Sequence, residues 1–417
     1  MQVKAREIFD TNVRPLLEVE VLTKGGILGS GSAPCGSSVG KHEAITLRDG
    51  DPRRYSGLGV LKAVQNVNQV IAPKLIGTDV REQRKIDQLI IDLDGTENKS
   101  KLGGNTILSV SYAVAEAAAN AIGIPLYQYI GGITVNSLPI PIVNLVNGGP
   151  FSPTDMAFQE HGIVPTHAKS LSEALRMCVE VNFELKNVLK EKYGKKGLAF
   201  GQSHGYSPPI QDSREAFDRI LEAIEEVGYG GTFVFHVDSA ASQFYDMKKE
   251  RYSFMGREIT REDLIEFYRN LVKDYPIFTI EDPLYEDDFE GHVELTKELS
   301  HTQIVGDDLF VTNVNRLKKG IKMKACNAII LKPNQVGSLS ETFDVARLAV
   351  ENDYQVIPAV RSSRCNQPIP DIAVGLNCRQ VKFAPLGYHR CVYNRLLRIE
   401  ENLGDSKRYT NFVHIRR

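Results

Sequence analysis

Residues 232–238 read TFVFHVD, an apolar run that ends on an acid. The same pattern recurs as IFTIE at 277–281, QIVGD at 303–307 and AIILK at 328–332. Apolar runs of this length, buried on both faces, are the signature of parallel strands, and in a (β/α)8 barrel the strand C-termini carry the chemistry. Asp238, Glu281, Asp307 and Lys332 therefore read as one site. Three carboxylates converging at one barrel mouth repel one another unless a hard divalent cation such as Mg²⁺ neutralises them. A lysine beside them is a candidate base.

Amphipathic helical patterns alternate with these runs, at 170–194, 212–231, 260–276 and 340–355. This rhythm fills the last ~270 residues, about what a barrel needs. The chain has 417 residues, so a second, smaller domain is expected ahead of it. There LLEVEVLT (16–23) alternates apolar and polar residues, meets Gly25-Gly26 and runs on through ILGSGSAP, the start of an antiparallel meander. Helical patterns follow at 60–77 and 81–95, and NTILSVSYAVAEAAANAIG (105–123) reads as a buried helix ended by Gly123 and Pro125. Glycines and prolines at 131–141 break the periodicity, so we expect an α+β domain over 1–130 and an α/β barrel over 141–417.

Fifty Lys and Arg against 52 Asp and Glu leave a formal charge of −2, with no basic face for nucleic acid and no polybasic membrane patch. A small-molecule substrate is the expected partner. The N-terminus lacks a signal-peptide core and no apolar stretch approaches the ~20 residues of a membrane span, which points to the cytoplasm. Six scattered cysteines without a CxxC pair are expected to be reduced thiols.

Longer segments carry a resemblance. AREIFD, DGTENKSKLG, NLVNGG, FQE, DSAASQFYD, TIEDPLYEDDFEGH, VGDDLFVTN, LKPNQVGSLSET and LLRIEENLGD are similar to segments of the enolase family, and they span almost the whole chain. The resemblance implies an enolase-type modified eight-stranded barrel capped by the N-terminal domain, and a homodimer. It implies Asp238, Glu281 and Asp307 as Mg²⁺ ligands and Lys332 as general base, an assignment that enolase-superfamily chemistry itself exemplifies. A cation-rich setting is expected to lower the pKa of that lysine. Lys382 matches the lysine flanking the substrate carboxylate, Arg361-Ser362 the pair holding the phosphate, and Ser38 the mobile-loop serine of a second metal site.

Four segments depart from the family pattern. The glutamate expected as general acid is replaced by Ser203 in GQSHG (201–205), with His204 beside it as a substitute acid, and a family histidine is replaced by Phe151. The neighbouring glutamate survives as Glu160. The phosphate loop reads AVRSSR (359–364), where Arg364 adds a cation for a second anionic group, and the segment at 11–16 is altered. Loss of an acid costs about 10² to 10⁴ in rate. Altered chemistry on a phosphoenolpyruvate-like or 2-phosphoglycerate-like carboxylate is therefore expected, resembling the carboxyphosphonoenolpyruvate synthase paralogues of phosphonate natural-product pathways. The alternatives are enolase itself with a substitute acid, and a non-catalytic binding protein on the same fold.

Overall fold

The computed structural model describes residues 1–36, 40–150, 152–201, 203–361, 368–383, 385–387 and 389–410. Three strands open the chain: β1 (Gln2–Phe9), β2 (Pro15–Leu22) and β3 (Leu28–Gly31), paired antiparallel in that order. Asp10 shapes the first turn by accepting from the backbone N–H groups of Asn12 and Arg14, each at 2.8 Å. Two helices back the meander, α1 (Gln83–Asp94) and α2 (Gly104–Ala121). The alanine-rich α2 is buried nearly all round, as its sequence predicts. It lies so close to β3 that a Cβ on Gly29 would sit 2.2 Å from the Ala117 backbone nitrogen, and one on Gly31 2.2 Å from the Ser109 carbonyl oxygen. Glycine is what allows that approach.

The second sheet has eight strands: β4 (Ile140–Asn147), β5 (Glu160–Pro165), β6 (Phe233–Asp238), β7 (Ile277–Glu281), β8 (Gln303–Gly306), β9 (Ala328–Leu331), β10 (Gln355–Pro358) and β11 (Gln380–Phe383). Their spatial order is β10-β9-β8-β7-β6-β5-β4-β11. A parallel bridge between Ala359 and Lys382, with the Val360 N–H donating to the Lys382 carbonyl, brings the two ends together. The four runs that prompted the barrel reading are parallel to one another. By contrast β5 is antiparallel to both β4 and β6, which puts its first residue, Glu160, opposite Asp238, the last residue of β6.

Helices cover the outside: α3 (Leu171–Tyr193), α4 (Ser213–Glu226), α5 (Arg261–Asp274), α6 (Phe289–Glu298), α7 (Val314–Met323), α8 (Leu339–Val350), α9 (Ile369–Gly375) and α10 (Arg390–Leu403). Their starts are written in the sequence. Thr260 and Asp263 form a reciprocal capping box on α5, and Ser338 caps α8. Inside the barrel, Ile140, Ile142, Val234, Val305, Ile330 and Ile357 belong to one apolar cluster that floors the mouth. Buried ties seat the first sheet and its helices on the barrel: Asp87 accepts from the Ser340 N–H at 3.0 Å, and the Lys99 ammonium meets Glu341 at 2.6 Å.

Among the described residues no single helix is long and apolar enough to cross a membrane. Cys35, Cys178, Cys326 and Cys378 are reduced thiols, but Cys391 is disulfide-bonded, against the expectation of reduced thiols throughout.

Candidate active site

The strand-end charges form a buried ring. Asp238 and Glu281 end adjacent strands in register, and Asp307 and Lys332 follow β8 and β9 immediately. The Lys382 ammonium, from within β11, reaches Asp238 Oδ2 and Glu281 Oε2, both at 2.8 Å, and Glu160 Oε2 at 3.1 Å. Lys332 Nζ is ion-paired with Asp307 Oδ2, and Gln335 Nε2 donates to Asp307 Oδ1 at 2.7 Å. Gln335 Oε1 accepts from the Thr312 hydroxyl, which itself accepts from the Lys332 backbone N–H. Arg361 is buried against Glu43 at 3.1 Å, so a residue of the N-terminal segment enters the mouth.

Burial and charge pull these groups apart. Burial is the main reason that Glu160 and Glu281 stand above the usual carboxylate range, with Asp238 adding repulsion and Lys382 opposing the shift. Burial raises Asp307 too, but Lys332 beside it outweighs that and holds it below its ordinary value. For Lys382, burial opposes the charge, yet Asp238, Glu160 and Glu281 together hold the ammonium well above its ordinary range. Lys332 corrects an expectation. Burial lowers it, and Arg361 and Lys382 push the same way, but the Asp307 ion pair prevails and raises it.

The carboxylate oxygens of Glu281, Asp282 and Asp307 lie within 4.8 Å of one another. Glu281 is fully buried, and its Oε1 has no hydrogen-bond partner. An orphaned anionic oxygen in an all-oxygen cluster fits a hard divalent cation. Asp282 was not evident from strand-end reasoning, although it follows Glu281 directly. It accepts from the backbone N–H groups of Asp307 at 2.9 Å and Asp308 at 2.8 Å, which fixes the turn after β8. Gln335 was likewise missed, three residues past Lys332 in LKPNQ.

Ser203 and His204 sit on a turn clipped to the end of β4, where the Tyr206 N–H donates to the Leu145 carbonyl and the Asn147 N–H to the Tyr206 carbonyl. His204 is exposed with φ +66° and Ser203 is half-buried, so neither is sealed from water as the ring is. Ser38, Ser362 and Arg364, together with Phe151, lie outside the described residues.

Comparison with known proteins agrees with this architecture. Residues 135–416 match the family model described as enolase, C-terminal TIM barrel domain, and residues 1–130 that described as enolase, N-terminal domain. A protein named enolase from Methanocaldococcus jannaschii is 50% identical over 408 residues, covering 97% of this chain and 96% of its own length. Enolases of Methanopyrus kandleri (48% over 415 residues, 98% and 97%) and Thermococcus gammatolerans (49% over 407 residues, 96% and 94%) are similar to the same extent. These relatives correct the expectation of a phosphonate-pathway paralogue, which finds no support among them, and favour its enolase alternative. Matched along both domains and at about half of its positions, the chain belongs to the enolase family.

Proposed function

We propose that the protein catalyses the enolase reaction, the Mg²⁺-dependent interconversion of 2-phosphoglycerate and phosphoenolpyruvate. The observation that carries this reading is the buried ring itself, in which one lysine faces an acidic cluster and a second lysine bridges three carboxylates. Asp238, Glu281 and Asp307 would hold Mg²⁺, with Asp282 bracing the turn beneath them. When bound, the cation would stabilise the negative charge that builds on the substrate carboxylate as the C2 proton leaves.

Lys332 takes the C2 proton. It must first surrender its own, and the neighbouring Arg361 and Lys382 charges favour that loss once Asp307 is engaged elsewhere. Lys382 flanks the substrate carboxylate. Arg361, which now holds Glu43, offers its guanidinium to the phosphate, and the family resemblance adds Ser362 to that role and Ser38 to a second metal site. For the departing hydroxide we assign the proton to Glu160, because burial raises this carboxyl above its ordinary range and so favours its proton-bearing form. Ser203 can only hydrogen-bond there, and His204 is exposed to water.

Purified protein with Mg²⁺ and 2-phosphoglycerate should raise the ultraviolet absorbance of the enol phosphate at about 1 to 10³ turnovers per second. Exchange of the C2 proton in deuterated water should accompany it. Glu160→Gln should stop dehydration while exchange continues. Absence of both absorbance change and exchange from the unsubstituted protein would overturn the reading. The same reading takes the protein as a cytoplasmic homodimer, on the strength of the family resemblance. Light scattering that returned the mass of one chain would remove the dimer.

A further inference from the structure

One buried side chain at the mouth is unused by the reaction above. His236 lies on β6 two residues before Asp238, is 1% exposed, and has no hydrogen-bond partner at Nε2. That nitrogen is 3.6 Å from Glu281 Oε2. Its other ring nitrogen, Nδ1, is 2.7 Å from Thr279 Oγ1. Asn144, Gly162, His236 and Thr279 are in register across four neighbouring strands, and Asn144, also 1% exposed, has neither side-chain polar atom hydrogen-bonded. Gly162 between them offers no side chain to fill the row. Glu281 Oε1 is likewise without a hydrogen-bond partner, while Oε2, the oxygen facing His236, is paired with Lys382.

Unpaired buried polar atoms are costly, and a bare imidazole nitrogen 3.6 Å from a carboxylate calls for a partner. A proton on Nε2 would be too far from Glu281 for a good hydrogen bond. The tautomer that donates Nδ1–H to Thr279 instead leaves a lone pair on Nε2 facing the carboxylate, an arrangement that a cation between them would satisfy. Metal-ligating histidines characteristically anchor their second nitrogen in this way.

We propose that His236 supplies a nitrogen donor to the divalent cation held by Glu281, so that the site favours Mn²⁺ or Co²⁺ over Mg²⁺ more than an all-oxygen site would. Imidazole suits transition metals, whereas Mg²⁺ prefers oxygen. The inference rests on the metal reading of the proposed function, and Mn²⁺ tests the two separately. Electron paramagnetic resonance of the full-length protein titrated with Mn²⁺ should show one tightly bound ion. Failure to bind any would overturn the metal reading and this inference together.

With Mn²⁺ bound, electron spin echo modulation should show a coupled nitrogen, and labelling histidine alone with ¹⁵N should change that pattern without any substitution. In His236→Leu the coupling should vanish, and Mn²⁺ affinity should fall ~10-fold or more while Mg²⁺ affinity falls less. Bound Mn²⁺ without a histidine coupling in the labelled native sequence would overturn the inference even if the variant failed to fold. Coupling that persisted in folded His236→Leu would do the same.

Discussion

Lys332 and Ile330 are neighbours along one strand-and-exit, yet they belong to opposite ends of the barrel's chemistry. Ile330 sits in the apolar floor with Ile142, Val305 and Ile357, and Lys332 in the charged ring above. The floor excludes water from below, and this gives the ring its character: the same burial raises Glu160 and Glu281 and lets one ammonium decide the state of Asp307. An apolar layer thus sets the electrostatics of a polar one.

The contrast can be broken at either end. Lys332→Ala should lower kcat for both C2 exchange and dehydration by about 10² to 10⁴, measured with Mg²⁺ saturating. Two residues back, Ile330→Ala should cost about 2–5 kcal/mol in denaturant unfolding through the cavity it leaves, while kcat per folded molecule changes far less than in Lys332→Ala. Equal losses of kcat in both variants would show that floor and ring are not separable.

A third position sharpens the comparison from the outer face. His161 follows Glu160 on β5, is fully buried and packs its ring against Phe217 of α4, centroids 5.1 Å apart. Burial pushes its pKa down to about 4. The unfolded chain therefore binds this proton first, so the contribution is fully present above pH ~6.5 and is lost as pH falls toward 4. Full loss amounts to about 3 kcal/mol, and His161→Phe should remove that part of the pH dependence of unfolding. The smallest effect is expected at the surface. The exposed Lys249–Glu258 pair should give no measurable change in Tm when Lys249 is replaced by Ala.

Much of this arrangement was legible from strand ends. Asp238, Glu281, Asp307 and Lys332 could be placed together because burial on both faces and a charged terminus are visible in the residues themselves. The direction of β5 was not, since an apolar run reads the same in either sense and only its partners fix it. The raised Lys332 was missed for a related reason: sequence shows that cations are near, but the Asp307 ion pair that outweighs them is a matter of distance. Asp282 and Gln335 act through backbone and side-chain bonds that close only when three loops meet.

The barrel is sealed where β4, its first strand, pairs with β11, its last, and Lys382 sits on that final strand. Glu43 similarly waits for Arg361, 318 positions later in the chain. On the ribosome, then, the acidic cluster would stay without its bridging ammonium until the last barrel strand had emerged. A chain released before that strand would carry the acids but not the cation that binds three of them, so synthesis of β11 and competence of the mouth are one event.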